Sequence, residues 1–222
     1  NANGSINVRW IKPIADSANY DTINVHPGHP YRYELYRAAG ITNPAAPPLI
    51  SFSSPFFATL NTNSFLDPGP GLNTQSFPYT YRVELISSSD TIDCPAKNAS
   101  SVFISCHPSD NKIQITWNEQ TPWTNYQYDV FRYNTGASQW DSIGTTALQT
   151  FTDSGLINGQ NYCYKVKSIG KYSDPTVPAP LINWSQELCC SPEDKTPPCP
   201  NVLTVDSSCE YSYNHLTWTN PN

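Results

Sequence analysis

A pattern of four short segments occurs twice along the chain, in the same order, and constrains its fold more than any other feature. In the second half, the segments alternate apolar with polar residues and lie at 113–117, 126–132, 151–153 and 162–169. Alternation with a period of two is typical of strands that bury one face. Turn residues separate the segments, so the pattern predicts short β-strands joined by turns.

The first half contains the matching segments, at 5–10, 31–37, 65–67 and 79–85. Four matches in one order indicate an internal repeat. The pattern opens a third time at 201–205 and 215–218, where the sequence resembles two further strands. We therefore expect three consecutive units, at 1–98 without most of its first strand, at 99–192, and at 193–222, a Pro-rich linker with the first strands of a third repeat.

The size and composition of the chain agree with this division. A sandwich of seven strands takes about 100 residues, so 222 residues hold two complete ones. Aromatic residues make up 13% of the chain and charged residues 14%, which favours sheet surfaces over disorder. We expect an all-β fold of tandem β-sandwiches. The chain starts at Asn1 and has no Met, which indicates a mature product or a window on a longer array.

Charge and cysteine content limit the partners and the compartment. The net charge is −6 and no run of basic residues occurs, which argues against nucleic acid and anionic membranes as partners. No apolar stretch approaches the ~20 residues of a membrane helix. Seven cysteines favour an oxidising, extracellular or cell-surface location.

The segments resemble strands B, C, E and F of a fibronectin type III (immunoglobulin-like) sandwich, with Tyr162 at the tyrosine-corner position. Residues 128–132, 151–164 and 183–189 resemble, more narrowly, the fibronectin-like repeats of Bacteroidetes surface proteins associated with gliding motility. The type IX secretion system exports those proteins, and their repeats act as spacers or binding modules. The resemblance implies a structural or adhesive segment of a secreted, multidomain bacterial surface protein.

Two other functions remain open at this stage. One is a subunit of an extracellular fibre, in which the C-terminal segment of one chain adds a strand to the N-terminal domain of the next. The other is a carbohydrate-binding module of a secreted glycan-degrading system, which would need aromatic residues in one line on one face. The expected partners are accordingly neighbouring repeats, identical subunits or surface glycans.

No catalytic, metal or cofactor signature frames the polar residues. The sequence lacks a nucleophile elbow, an Asp-rich calcium loop and a Gly-rich phosphate loop, and His26 and His29 lie in a Pro-rich turn rather than a ligand set. We expect a protein that is not an enzyme, with no cofactor and no metal. Asp67 and Asp153 occupy equivalent positions of the repeats, which indicates a role in the fold, such as capping a turn.

Three Trp residues are the candidate ligand-binding residues, Trp123 in the loop after strand B, Trp140 after strand C and Trp184 near strand G. Loop aromatics can stack on sugars. They can also cover the ends of a sandwich, and the sequence favours that second interpretation. Asp-Ser or Asp-Thr before an apolar residue resembles the O-glycosylation motif of the same phylum, with candidate acceptors Ser17, Thr22, Thr91 and Ser142.

Strand alternation also predicts which cysteines pair and which tryptophans are buried. Cys163 and Cys189 both point outward on neighbouring strands F and G, so we expect a disulfide between them. We expect two further bridges, Cys94–Cys106 and Cys199–Cys209, with Cys190 left as a thiol or paired with another molecule. The tryptophans that end each strand B should lie between the sheets near Tyr33 and Tyr128: Trp10, Trp117 and Trp218.

Overall fold

The computed structural model describes residues 4–12, 30–68, 72–87, 90–91, 97–195, 202–208, 210 and 213–218. These residues form seventeen β-strands and one short 3-10 helix, Phe57–Thr59. All ladders between strands are antiparallel. The prediction of an all-β fold is confirmed. No helix among the described residues has the length and apolar character needed to cross a membrane.

The strands of the first repeat form two sheets. The smaller sheet pairs β1 (Ile6–Arg9) with β4 (Ser64–Asp67). The larger has the order β3-β2-β5-β6, and its members are β3 (Ile50–Ser54), β2 (Tyr31–Ala39), β5 (Tyr79–Ser87) and β6 (Asp90–Thr91). The short strand β7 (Ala99–Ser100) also pairs with β5. These strands are the counterparts of B and E in one sheet and of C′, C, F and G in the other.

The second repeat has the same arrangement with its strand A present. One sheet has the order β12-β9-β8, formed by β12 (Thr150–Ser154), β9 (Lys112–Asn118) and β8 (Phe103–Ser109). The other has the order β11-β10-β13-β14, formed by β11 (Gln139–Thr146), β10 (Thr124–Asn134), β13 (Tyr162–Lys171) and β14 (Leu181–Trp184). Strand β15 (Leu188–Cys190) pairs with β13 as well. This A-B-E and C′-C-F-G order is that of a fibronectin type III-like sandwich.

Trp117 lies at the centre of the second core. Its side chain is 2% exposed and its ring centroid is 5.1 Å from that of Tyr128, as the alternation of β9 predicts. Trp10 occupies the same position in the first repeat, 5.7 Å from Tyr33, and is half-buried. Strand alternation therefore placed both tryptophans between their sheets.

The equivalent aspartates of strand E hydrogen bond to side chains of strands C and F in both repeats. Asp153 accepts a hydrogen bond from the Tyr164 hydroxyl at 2.9 Å and one from Arg132 at 2.8 Å. Burial, followed by this hydrogen bond, raises the pKa of Tyr164. The first repeat has the same trio, in which Asp67 accepts from Tyr81 and Arg37. This contact gives both aspartates a role in the fold, because strand E lies across the sandwich from strands C and F.

The tyrosine corner also occurs in both repeats. The Tyr162 hydroxyl accepts a hydrogen bond from the Ile157 amide at 3.1 Å. In the first repeat, the Tyr79 hydroxyl accepts one from the Asn73 amide at 2.8 Å. The resemblance predicted this contact for Tyr162, and the structure confirms it.

The two repeats meet without a free linker. Ser100 belongs to β7 in the first repeat, yet its amide donates to the Gln120 carbonyl of the second at 2.7 Å. Its hydroxyl accepts from the Gln120 amide at 2.7 Å, and its carbonyl accepts from the Asn183 side chain at 3.0 Å. Two residues later, Val102 already bridges to Ser185 of the second repeat. We name this set of contacts the shared-strand junction.

The start of the third repeat forms a hairpin of β16 (Leu203–Ser208) and β17 (Tyr213–Trp218). Its register places Leu203 opposite Trp218 and Val205 opposite Leu216, so the four side chains share one face. That face is open, and Trp218 is 63% exposed. The prediction that Trp218 is buried was wrong, because no second sheet among the described residues covers the hairpin.

The cysteines follow the predictions in part. The Cys163–Cys189 disulfide across β13 and β15 is confirmed. Cys94, Cys199 and Cys209 lie outside the described residues, so the Cys199–Cys209 bridge stays a prediction. Cys106 is a free thiol and not half of the expected Cys94–Cys106 bridge, because its side chain points inward toward Cys190.

Candidate functional site

The outer side of the β11-β10-β13-β14 sheet carries a cluster of rings around one lysine. Alternation along β10 and β13 sends Tyr128, Val130, Tyr164 and Val166 into the core, and therefore sends their neighbours outward. Four aromatic side chains and one lysine gather there, and we name them the aromatic–lysine face: Phe131, Tyr133, Trp140, Lys165 and Trp184.

The sheet register brings these five side chains into contact. Tyr133 lies opposite Trp140, with ring centroids 5.3 Å apart. Phe131 lies opposite Lys165, and its ring is 5.4 Å from that of Trp184. These separations are within the usual range for interacting aromatic pairs. The five residues come from four neighbouring strands, and their pairwise contacts form one continuous group across the sheet.

Lys165 occupies the gap between the two indoles. Its Nζ lies 4.2 Å from the Trp140 ring centroid and 5.2 Å from that of Trp184, so both rings make cation–π contacts with it. Burial lowers the pKa of Lys165, and the charge of Glu187 opposes that shift. In the described part of the chain, Lys165 forms no ion pair. Its ammonium group is therefore held by rings and keeps hydrogen-bond donors for a ligand.

A polar margin borders the rings on one side. Lys167 forms an ion pair of 3.3 Å with Asp129 and also lies 5.9 Å from the Trp184 ring. Gln127 and Thr145 donate hydrogen bonds to the same carboxylate. The charges of Lys167 and Asp129 are thus paired with each other. The surface combines flat apolar rings with amide, hydroxyl and ammonium groups.

This combination suits a sugar better than a charged ligand or an apolar one. A pyranose ring has apolar C–H faces that pack on aromatic rings and equatorial hydroxyls that need hydrogen-bond partners. Trp184 is 44% exposed, which leaves its ring open to such a contact. The other three rings are half-buried by their neighbours and would present edges and partial faces.

The structure unites two of the three predicted tryptophans and separates the third. Trp140 and Trp184 both contact Lys165. Trp123 lies at the end of the sandwich, where its indole N–H donates to Asn125 and its ring packs on Tyr172 at 5.8 Å. A Cβ on Gly170 would meet the Trp123 ring at 2.5 Å. Trp123 therefore covers the end of the sandwich, which is the alternative that the sequence favoured.

Phe131, Tyr133 and Lys165 are site residues that sequence reasoning missed. Their signal was available, since each follows or precedes a predicted core residue and must point outward. The sequence could not predict that Lys165 contacts both Trp140 of β11 and Trp184 of β14, because these contacts depend on the order of four strands in the sheet.

Among the candidate glycosylation sites, Ser142 is exposed on β11, beside the aromatic–lysine face. The structure does not describe the Thr91 side chain, and Ser17 and Thr22 lie outside the described residues. Their modification stays a prediction.

One group of potential metal ligands also lies near this face, formed by Cys163, Glu187 and Cys189. Its two sulfurs are bonded to each other and are not thiolates, which are the form that binds metals. The group offers a single carboxylate and does not make a metal site.

Comparisons with known proteins extend these observations. No protein-family model matches the chain. The chain is similar to Exoglucanase B of Cellulomonas fimi, with 28% identity over 180 residues. The matched region covers 72% of this chain and 16% of that protein, so the chain spans a small part of its relative.

The chain is also similar to solved structures. The central fibronectin-III array of RIM-binding protein has a TM-score of 0.32 and 14% identity, with 98% of this chain and 75% of that one covered. The chicken interferon gamma receptor alpha chain has a TM-score of 0.30 and 14% identity (86% and 93% covered), and a β-1,2-glucanase from Parabacteroides distasonis has a TM-score of 0.34 and 12% identity (75% and 28% covered). The strand order described above, rather than these likenesses, is the basis of the fold assignment.

Proposed function

We propose that the chain is a non-catalytic, extracellular segment of a larger secreted protein and that its second sandwich binds β-linked glucan. The aromatic–lysine face is the binding surface. The carrying observation is that Trp140 and Trp184 lie on either side of Lys165, within one group of aromatic side chains on the outer face of the sheet. Aromatic side chains gathered on one face are what a carbohydrate-binding module needs and a plain spacer does not.

Two further observations support this proposal. The relative that the chain resembles is named as an exoglucanase, an enzyme class whose name refers to glucan. The Cys163–Cys189 disulfide is consistent with an oxidising compartment. Export by the type IX system and a place in a bacterial surface protein follow from the sequence resemblance and belong to the same proposal.

The shared-strand junction supports a spacer role beside the binding role. Ser100 is 4% exposed and hydrogen bonds within both repeats. A joint with paired backbone groups bends less than a linker of solvated residues. The first sandwich would then hold the aromatic–lysine face at a set distance from whatever precedes it.

Affinity electrophoresis and titration calorimetry with hydroxyethylcellulose, cellohexaose and a β-1,2-glucan test the proposal. We expect binding by the full chain and a loss of about tenfold in affinity for each of Trp184→Ala and Trp140→Ala, which corresponds to about 1.4 kcal/mol. Trp218→Ala removes a tryptophan that is more exposed than Trp184 (63% against 44%), from a different part of the chain. This control should bind as the parent does.

Two results would overturn the proposal. One is an absence of binding to all three glucans at millimolar concentration. The other is binding that Trp184→Ala and Trp140→Ala leave unchanged while both variants keep the parent's circular dichroism spectrum. Loss of binding in Trp218→Ala as well would indicate general adhesion by exposed rings and not a site on the second sandwich.

A second candidate function, head-to-tail assembly, is favoured by the hairpin of the third repeat. Leu203, Val205, Leu216 and Trp218 are each more than half exposed on one face, and exposed patches of this kind mark contact surfaces. We propose that a sheet of another copy can cover this face. Light scattering of the full chain and of a chain ending at Pro200 tests this assembly. Equal association of the two chains would show that the hairpin is not the contact surface.

A further inference from the structure

Two free thiols face each other between the sheets of the second sandwich. Cys106 on β8 and Cys190 on β15 both pack against the buried core around Trp117. Strand β15 also contacts β8 directly, which brings the two cysteines to the same edge of the core. Cys189 points outward into its disulfide with Cys163, so alternation turns the adjacent Cys190 inward.

Neighbouring contacts hold the two strands in place around these thiols. The Gln186 side chain, 4% exposed, accepts from the Ile104 amide at 3.1 Å and donates to the Ile104 carbonyl at 2.9 Å. Val102 forms a parallel bridge with Ser185. The start of strand A is therefore docked along the strand G segment, and Cys106 and Cys190 lie farther along the same edge.

We propose that Cys106 and Cys190 form a second disulfide, which joins strand A to strand G and prevents the sandwich from being stretched open. The two thiols lose two electrons and two protons, and an external disulfide takes them up. One thiolate attacks a sulfur of that disulfide and releases a first thiol. The second cysteine then attacks the mixed disulfide, closes the Cys106–Cys190 bond and releases a second thiol.

Burial and the neighbouring Cys106 raise the pKa of the Cys190 thiol. Cys190 is therefore rarely a thiolate at neutral pH in the folded chain, and its exchange there is slow. The bond should close during oxidative folding, when both thiols are accessible.

The position of this bond gives it a mechanical consequence. Strands A and G carry the two ends of the sandwich, so tension enters the domain through them. A bond between residues 106 and 190 encloses 84 positions (190 − 106), and tension passes through the sulfurs instead of these residues. The Cys163–Cys189 bond alone shields 26 positions.

Peptide mapping under non-reducing conditions tests the chemical part of the proposal. The full chain is mapped as purified and after refolding in a mixture of reduced and oxidised glutathione. We expect a Cys106–Cys190 crosslink beside Cys163–Cys189. A Cys94–Cys106 crosslink, or alkylatable Cys106 and Cys190 after oxidative refolding, would overturn it.

Single-molecule stretching of the full chain from its two ends tests the mechanical part. The Cys106→Ala and Cys190→Ala variants each keep the 26-position bridge, so unfolding of their second sandwich releases 58 more positions than in the oxidised parent (84 − 26). At about 3.5 Å per residue, the added contour length is about 200 Å. Having two variants guards against one that fails to fold.

Equal contour lengths for the oxidised parent and the variants would overturn the mechanical inference. Treatment of the parent with a reductant provides a third comparison, because it opens both bridges and should lengthen the release beyond that of either variant. None of these readouts depends on glucan, so the proposed function and this inference can fail independently.

Discussion

The two sandwiches have the same interior and different outer faces. In both, a tyrosine of strand F donates to an aspartate of strand E that also accepts from an arginine of strand C: Tyr81, Asp67 and Arg37 in the first, and Tyr164, Asp153 and Arg132 in the second. The repeat therefore retains the residues that join its sheets. What differs lies on the opposite side of the same strands.

Equivalent outward positions of strand F carry a cation in both sandwiches. In the first sandwich the cation is paired with a carboxylate, and in the second it lies between two aromatic rings. Arg82 lies 4.8 Å from the Tyr36 ring and also forms an ion pair of 2.8 Å with Glu84. Its counterpart Lys165 lies between Trp140 and Trp184 without an ion pair among the described residues. The shared interior contacts belong to the fold of both repeats, and the outer face of the second is the surface to which we assign glucan binding.

The largest expected effect tests the likeness of the two interiors. Trp117→Ala should lower the free energy of unfolding of the second sandwich by about 3–5 kcal/mol, because the side chain is 2% exposed and leaves a cavity. Trp10→Ala should cost the first sandwich about half as much, because Trp10 is half-buried. Chemical denaturation monitored by hydrogen exchange resolves each sandwich. A loss below about 1 kcal/mol for Trp117→Ala would mean that the strand register is wrong.

The next effect compares the two aspartates. Asp67→Asn and Asp153→Asn each remove the charge that faces an arginine and a buried hydroxyl, at a cost of about 2 kcal/mol. The larger loss should fall on Asp67, whose side chain is 2% exposed against 11% for Asp153. The same hydrogen-exchange measurement ranks the two variants. A cost near zero for both would mean that the Tyr–Asp–Arg contacts do not stabilise the sandwiches.

The smallest effect concerns the charged outer face of the first sandwich. Hydrogen bonds from Tyr36 and then Arg32 lower the pKa of Glu34. Since the folded-state pKa is lowered, the stability that Glu34 contributes is present above its ordinary pKa and is lost as the pH falls through the lowered value. Glu34→Gln should remove this pH-dependent contribution to the free energy of unfolding, which is about 0.5 kcal/mol at most for a surface pair. Identical pH–stability curves between pH 2 and 6 for variant and parent would contradict it.

Strand identity was predictable because it depends on neighbours in sequence. Alternation alone placed Trp117 and Tyr128 in the core and turned Cys163 and Cys189 outward to their disulfide. The tyrosine corner at Tyr162 followed from resemblance. These features need the period of the strands, which the sequence shows, and the adjacency of strands F and G, which the resemblance implies.

What the sequence could not predict depends on contacts between strands that are distant in sequence. Lys165 meets Trp140 and Trp184 because β11, β13 and β14 belong to one sheet. Cys106 lies beside Cys190 because strand A lies against strand G. Trp218 has the pattern of a core residue and is exposed, since burial requires a partner sheet that the pattern of one strand does not specify.

The shared-strand junction has a consequence for avidity. Because Ser100 hydrogen bonds within both repeats, the joint between the two sandwiches consists of paired groups rather than a solvated linker. A flexible tether would let a second face sample many positions and would dilute its effective concentration. Under the proposed function, a fixed joint would hold the binding faces of an array of such repeats at set positions along a bound glucan, so a second contact is gained where the spacing matches the polymer and is lost where it does not.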